Sequence, residues 1–251
     1  MTAEGAVGVR AHVVVGSRDV DVAIEVRAGE CLAVIGPNGA GKSTVLEALA
    51  GLLPIDAGRI ELDGVQVSSP RQTVPAHRRR TGLVAQRSDL FPFLDVVGNV
   101  AFGPRAAGAG RAAARQLARD ALDAVGVADL ATRDPGTLSG GQAQRVAIAR
   151  ALALEPDLLI LDEAVSALDV LVQEQILALL DDLQDRLGLS YLFITHDLGV
   201  VRRIADDVVV MRRGAVVERG SVARVFDDPQ EQYTKDLLDA IPGRSLAESA
   251  V

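Results

Sequence analysis

The apolar run Cys31-Leu32-Ala33-Val34-Ile35 leads directly into Gly36-Pro37-Asn38-Gly39-Ala40-Gly41-Lys42-Ser43, and a helical pattern, Lys42–Gly51, follows. A strand, a glycine loop fitting G-x-x-x-x-G-K-[ST] and a helix, in that order, make the context that identifies a P-loop. The residue types follow from the chemistry. Glycines let consecutive backbone N–H groups converge on an anion, and the positive end of the helix adds to the attraction. Amides from Gly39 to Thr44 can cradle phosphates, Lys42 can reach the β- and γ-phosphates, and Ser43 can ligate Mg2+. A glycine loop that merely turns the chain would not need the lysine and serine. The motif therefore fixes one strand end of an α/β sheet as a phosphate site.

The rest of the chain agrees with that architecture. Cys31–Ile35, Thr81–Ala85, Leu158–Leu161, Tyr191–Thr195 and Asp207–Met211 read as buried strands. Helical patterns lie at Lys42–Gly51, Arg111–Val125, Gly140–Leu154, Val170–Leu187 and Leu198–Ile204. Apolar strands separated by helices predict a mostly parallel central sheet covered on both faces. Gly8–Val26, with Arg59–Leu62, predicts a small antiparallel β subdomain. The stretch from Pro104 to Ala114, rich in Ala, Gly and Arg, is expected to begin as a loop that connects into the next helix. With 49% apolar but only 3% aromatic residues and no Trp, the core must be aliphatic. Cys31, the single cysteine, is expected to be a buried structural thiol. No intrachain disulfide is then possible, which fits a reducing compartment. A net charge of −8 disfavours wrapping nucleic acid or adhering to anionic lipid, despite the local cluster Arg78-Arg79-Arg80. No secretory leader is evident, and no apolar run approaches the roughly 20 residues that span a bilayer.

Further candidates sit at other strand ends. Leu158-Leu159-Ile160-Leu161-Asp162-Glu163 is an apolar strand ending in two carboxylates. Asp162 at the strand edge can supply an oxygen to Mg2+ beside the P-loop. Glu163, one residue on, points differently and can polarise a water facing the γ-phosphate. His196 follows Tyr191–Thr195; alone, a histidine there is more often structural, but at a third strand end it can contact the γ-phosphate and orient water or Glu163. Gln86 follows Gly82-Leu83-Val84-Ala85, and its amide can reach Mg2+ or water; a bland reading is equally open. Leu90, Phe91, Phe93 and Leu94 cluster just beyond it, either as core or as a groove for a partner's short helix.

A second phosphate-gripping element lies about a hundred residues after the first: Leu138-Ser139-Gly140-Gly141-Gln142, followed by the amphipathic Ala143 to Leu152. One nucleotide requires only one such grip. Together with the P-loop, Asp162-Glu163, Ser166-Ala167-Leu168-Asp169 and His196, it resembles the nucleotide-binding subunit of ABC transporters over nearly the whole chain. The resemblance implies an α/β P-loop NTPase fold with a helical signature subdomain at about 87–156, an ATPase domain over 1–242, and a disordered tail at 243–251. It implies two copies, or the chain and a paralogue, standing head to tail around two ATPs. Ser139, Gly140, Gly141 and Gln142, with Asp169, would then meet the nucleotide held by the opposite chain's Gly36–Thr44. Glu163 would be the base, His196 its support, Lys42 and Mg2+ the charge neutralisers, and Gln86 a sensor loop. Membrane-spanning permease subunits and an extracytoplasmic solute-binding protein are the implied partners, and the cytoplasmic face of the membrane the implied location.

Three departures from that pattern stand out. Ala164 replaces the proline that usually follows the glutamate, so the turn aiming Glu163 is expected to be less rigid. No Phe, Tyr or Trp occurs from His12 to Asp21, where an aromatic usually stacks on adenine; His12 is the only candidate there, and a plain strand position is its other reading. Third, Pro75–Gly82 and Leu90-Phe91-Pro92 resemble molybdate and related anion importers. Val165–Val170, Thr195–Leu198, Phe226–Gln230 and Tyr233–Pro242 instead resemble oligopeptide, dipeptide or nickel importers. An importer ATPase is favoured because both halves resemble importer families and no membrane span is fused. An ABC ATPase acting outside transport is the alternative, although no coiled-coil insertion, tandem cassette or basic surface is evident. A non-catalytic scaffold fits least, because Lys42, Asp162, Glu163 and His196 are all present.

Overall fold

In the computed structural model, which describes residues 7–240, the strands are β1 (Val7–Val15), β2 (Val20–Arg27), β3 (Cys31–Ile35), β4 (Ala57–Leu62), β5 (Val65–Ser69), β6 (Gln72–Thr73), β7 (Thr81–Val84), β8 (Leu158–Asp162), β9 (Ser190–Ile194), β10 (Asp207–Arg212) and β11 (Ala215–Ser221). The helices are α1 (Lys42–Ala50), α2 (Val96–Ala106), α3 (Arg111–Ala124), α4 (Gly140–Leu152), α5 (Val170–Leu187), α6 (Leu198–Ile204), α7 (Val222–Asp227) and α8 (Gln232–Asp239). The strands form one sheet in the order β6-β5-β4-β1-β2-β11-β10-β3-β9-β8-β7.

Sequence pattern decides which part of this sheet is which. β3 and β9 are buried at every position and, apart from Ser190 at the start of β9, are apolar or aromatic, as strands covered on both faces tend to be. With β10, β8 and β7 they form a parallel block. β2 alternates buried and exposed residues, the mark of a sheet with one wet face. It pairs antiparallel with β1, which pairs antiparallel with β4. The two blocks join through the single register pair Ala215↔Asp21 between β11 and β2.

The period of two along each strand also sorts the core. Leu32 and Val34 pack with α1 and the antiparallel strands, whereas Ala33 and Ile35 pack with α6, α7 and α8. In β8, Leu158 and Ile160 face the α1 side, and Leu159 and Leu161 face α2, α4 and α5. Cys31 is buried within the second of these layers. Tyr191 is a rare buried aromatic in this aliphatic core, and its hydroxyl donates to the Leu180 carbonyl at 2.8 Å.

One local expectation is corrected. Pro104 does not begin a loop; it lies within α2, and the helix ends at Ala106. A proline removes a helical N–H donor, yet other interactions outweigh the loss. Asp95 caps the helix by accepting from Gly98 N at 2.8 Å, and Val96, Val97, Val100, Ala101 and Pro104 are buried. Fully buried Asn99 bonds to both Phe91 N (2.7 Å) and Phe91 O (3.1 Å), tying α2 to the aromatic segment before it.

Candidate functional site

Four neighbouring parallel strands, β3, β9, β8 and β7, deliver the predicted residues from their C-terminal ends. The glycine loop follows β3, His196 follows β9, Asp162 ends β8 with Glu163 next, and Gln86 follows β7. Gly36, Pro37, Asn38, Gly39, Ala40, Gly41, Lys42, Ser43 and Thr44 line one cleft of about 820 Å³ together with Gln86, Asp162, Glu163 and His196. Glycine is required at two of these places. Gly36 has φ +149°, and a Cβ there would stand 2.3 Å from the Met211 carbonyl oxygen; Gly41 has φ +98°, with Val20 at 2.8 Å.

Lys42 curls back over the loop, its Nζ donating to Gly36 O at 2.7 Å and Pro37 O at 3.0 Å. Its pKa is lowered by burial, against the opposing pull of Glu163 and Asp162. Asp162 is held above the usual carboxylate range, first by burial and then by the like charge of Glu163, with Lys42 acting in the other direction. Glu163 has the left-handed value φ +51°, uncommon for a residue with a side chain. Its N–H donates to Ile194 O at 2.9 Å, and its carbonyl accepts from Ser166 Oγ at 2.9 Å and Ser166 N at 3.1 Å. These bonds close the turn that Ala164 leaves without a proline. His196 Nδ1 is hydrogen-bonded to Glu163 Oε1 at 2.9 Å and lies 2.8 Å from Oε2, which has no hydrogen-bond partner of its own.

The donors also fit a phosphate-bound magnesium ion. Among the described residues, no group of three or more His, Cys, Asp or Glu forms a metal cage. Mg2+ prefers hard oxygens and commonly takes one or two protein ligands beside substrate phosphates and water. The Ser43 hydroxyl, the Asp162 carboxylate and the Gln86 amide line the same cleft as the P-loop amides, which matches that preference.

The second grip is elsewhere. Ser139 caps α4, its Oγ accepting from Gln142 N at 3.3 Å while Ser139 N donates to Gln142 Oε1 at 3.0 Å. This reciprocal capping box presents the helix end bearing Gly140 and Gly141. Asp169 caps the neighbouring α5 through Val172 N at 3.0 Å. None of Ser139, Gly140, Gly141, Gln142 and Asp169 lines the P-loop cleft. The P-loop and the capped start of α4 thus do not share a pocket.

The structure adds residues that the sequence did not single out. Arg18 lines the cleft, its guanidinium donating to Glu47 at 2.6 Å and Thr44 at 3.4 Å. His12 is not a lining residue; it pairs with Asp21 at 2.8 Å on the antiparallel strands. Arg150 of α4 donates to the carbonyls of Asp89 (2.9 Å) and Ser88 (2.8 Å), bracing the loop that follows Gln86. Beyond that loop, Phe91 stacks tilted against Phe102 and Phe93 with centroids 4.8 and 5.6 Å apart. Phe93 is 77% exposed, whereas Leu90 packs against the core. An arginine in a turn or on an amphipathic helix reads as surface charge, so no sequence signal marked Arg18 or Arg150.

Comparison with known proteins places the chain by family and fold. The family model described as "ABC transporter" matches residues 20–166. The chain is 45% identical over 231 residues to the Fe(3+) ions import ATP-binding protein of Streptomyces coelicolor, covering 92% of this chain and 64% of that protein. It is 45% identical to the methionine import ATP-binding protein of Mesorhizobium japonicum, covering 91% and 63%. With the molybdenum import ATP-binding protein of Mycobacterium tuberculosis it shares 47% identity, covering 88% and 61%. The chain therefore spans less than two thirds of the length of these relatives. A solved structure, that of cbiO1 from Clostridium perfringens, part of the ABC transporter complex cbiONQ, superposes with TM-score 0.81 at 28% identity, covering 97% of this chain and 99% of that one.

Proposed function

The chain belongs to the ABC transporter family, and from that premise we propose that it is the ATP-hydrolysing subunit of an importer, working as a head-to-tail pair with a second copy or a paralogue. The observation that carries the reading is the separation of the two phosphate grips. The P-loop cleft holds cradle, lysine and carboxylates but no signature residue, and the signature has a preformed helix end with no cradle of its own. Each half completes the other only across two chains. Residues 87–156 are read as the signature subdomain within an ATPase domain over 1–242.

In the proposed cycle, Gly36–Thr44 hold the triphosphate and Lys42 turns from its own loop carbonyls to the phosphate oxygens. Mg2+, when bound beside Ser43, Asp162 and Gln86, supplies charge neutralisation. Glu163 accepts a proton from the attacking water, and His196 fixes the orientation of the carboxylate. Ser139, Gly140 and Gly141 of the second chain approach the same γ-phosphate, so closure of the pair and hydrolysis are coupled. Arg18 borders the cleft beside the first turns of α1 and offers a planar cation, held by Glu47, from the His12–Asp21 stretch that has no Phe, Tyr or Trp.

The Phe91–Phe93–Phe102 surface, next to the loop braced by Arg150, is proposed as the seat of a membrane permease subunit. No described helix is long and apolar enough to cross a membrane, so such a partner would hold the chain at the cytoplasmic face. An extracytoplasmic binding protein would complete the importer. The relatives named above import Fe(3+), methionine and molybdenum, three unlike cargoes at 45–47% identity. The shared residues are therefore read as a motor, with the cargo chosen by other subunits.

Ser139→Arg tests the arrangement. ATP should bind the single chain with unchanged affinity, because Ser139 is outside its own cleft, while hydrolysis should stop. A large loss of ATP affinity would refute the two-chain site.

A further inference from the structure

One wall of the P-loop cleft is neither P-loop nor catalytic. Tyr233 and Leu237, one turn apart on α8, line it beside Leu198. Arg212 lies over the Tyr233 ring, 4.6 Å from its centroid, which holds the ring in place. Both α8 residues are half-buried, so the wall presents apolar surface to the cleft's rim.

A matching apolar knob occurs next to the signature. Val170 and Leu171, the first residues of α5, are 75% and 78% exposed, the most exposed large aliphatic side chains among the described residues. They are rigidly tied to the signature, because their neighbours Leu168 and Val172 lie against Gly140 and Gly141, with contacts to a Cβ built there of 3.5 and 2.6 Å. The cap from Asp169 fixes the start of the same helix. Wherever Gly140 and Gly141 go, Val170 and Leu171 go with them.

We propose that a second copy of this chain seats Val170 and Leu171 against the Tyr233–Leu237 wall, so that α8 serves as a docking element for dimer closure. This rests on the head-to-tail reading above. If the signature of one chain enters the other's P-loop cleft, the exposed pair arrives at that cleft's rim, and the apolar part of the rim is the α8 wall. Two apolar surfaces that are separately exposed to water then cover each other, a contact that favours closure independently of phosphate charge.

The test uses full-length chains carrying Glu163→Gln, which should accumulate the closed, ATP-bound pair. Chains with Leu171→Cys are mixed with chains carrying Leu237→Cys, and a parallel mixture uses Tyr233→Cys. Native Cys31 is 1% exposed and does not compete for oxidation. A cross-linked heterodimer should form in the mixture only when ATP is present, and neither chain alone should give it. Leu171→Asp, an exposed position that folding tolerates, should weaken ATP-driven dimerisation by about 10- to 100-fold, the range expected for exposing one buried aliphatic side chain. ATP binding by the single chain should not change. An ATP-driven dimer that neither cross-links through either pair nor responds to Leu171→Asp would overturn the docking proposal while leaving the pairing intact. Failure of the Glu163→Gln parent itself to dimerise with ATP would overturn both, and that result is read on the parent without any α8 or α5 change.

Discussion

Replacing Glu163 by Gln separates its proposed role as a base from its role in the local structure. The turn is built on backbone groups that the substitution leaves in place: Glu163 N to Ile194 O at 2.9 Å, and the carbonyl accepting from Ser166. A glutamine oxygen can still receive a hydrogen bond from His196 Nδ1, now 2.8–2.9 Å from the carboxylate oxygens. Two things disappear, a proton acceptor and a negative charge. General-base catalysis contributes about 10²–10⁴-fold, or about 2.7–5.4 kcal/mol at about 1.36 kcal/mol per decade. The charge change has its own sign. Glu163 is the second cause raising the Asp162 pKa, after burial, so its neutralisation should let Asp162 ionise more readily. Glu163 also raises the Lys42 pKa, but burial dominates there, and the substitution removes from the cleft one carboxylate that would repel a triphosphate. A triphosphate should therefore bind at least as tightly as before. Phosphate release under saturating ATP should fall by about 10²–10⁴-fold, while direct nucleotide binding holds or strengthens. Turnover within tenfold of the parent, with nucleotide bound, would refute Glu163 as the base; lost binding would make it a ligand-holding group instead.

Other perturbations address the surroundings of the site. Phe93→Glu, at a position 77% exposed, should abolish co-purification with permease subunits while ATP binding persists. Arg150→Ala removes two donors to the loop carbonyls of Ser88 and Asp89, and each hydrogen bond from a charged group contributes about 1.5–3 kcal/mol. Single-chain ATP binding should stay constant, whereas ATP-driven dimerisation should drop at least about tenfold, with Arg150→Lys recovering part of it. Arg79→Met should lower unfolding free energy by about 2–4 kcal/mol in denaturant titrations. The buried Arg79 guanidinium donates to Ala48 O and Leu49 O at the end of α1, to Val74 O and to Ser68 Oγ, and methionine leaves those acceptors bare.

Much of this was legible in sequence because phosphate chemistry restricts residue types sharply. Only glycine suits Gly36, where any side chain would strike Met211, and only a strand end can hold Asp162 and Glu163 beside the loop. The buried strands were legible because β3, β8, β9 and β10 are continuous apolar runs. The helix over Val96–Ala106 was not, since Gly98, Gly103 and Pro104 weaken its local signal and its stability comes from tertiary burial and from Asn99 gripping Phe91. β5, β6 and β11 were equally obscure: they are short or polar, and pairing within the sheet rather than local propensity defines them.

The residues that escaped sequence reading share one physical character. Arg18, Arg79 and Arg150 each act by donating to groups far along the chain, on α1, on the end of α1, and on the loop after Gln86. A guanidinium carries five donors in a planar fork, so Arg79 and Arg150 satisfy backbone carbonyls without an acidic partner to reveal them, and Arg18 finds its carboxylate, Glu47, 29 residues away. Tyr233 and Leu237 were visible as a motif, yet only the fold shows that α8 reaches the P-loop cleft. The same holds for the signature. Its sequence suggested a phosphate grip, but only the fold shows that these residues stand outside the P-loop cleft, the observation on which the two-chain proposal rests. On the proposed head-to-tail reading, hydrolysis waits on closure of two chains, and the exposed Val170–Leu171 pair would give that closure an apolar contact that phosphate charge alone does not supply.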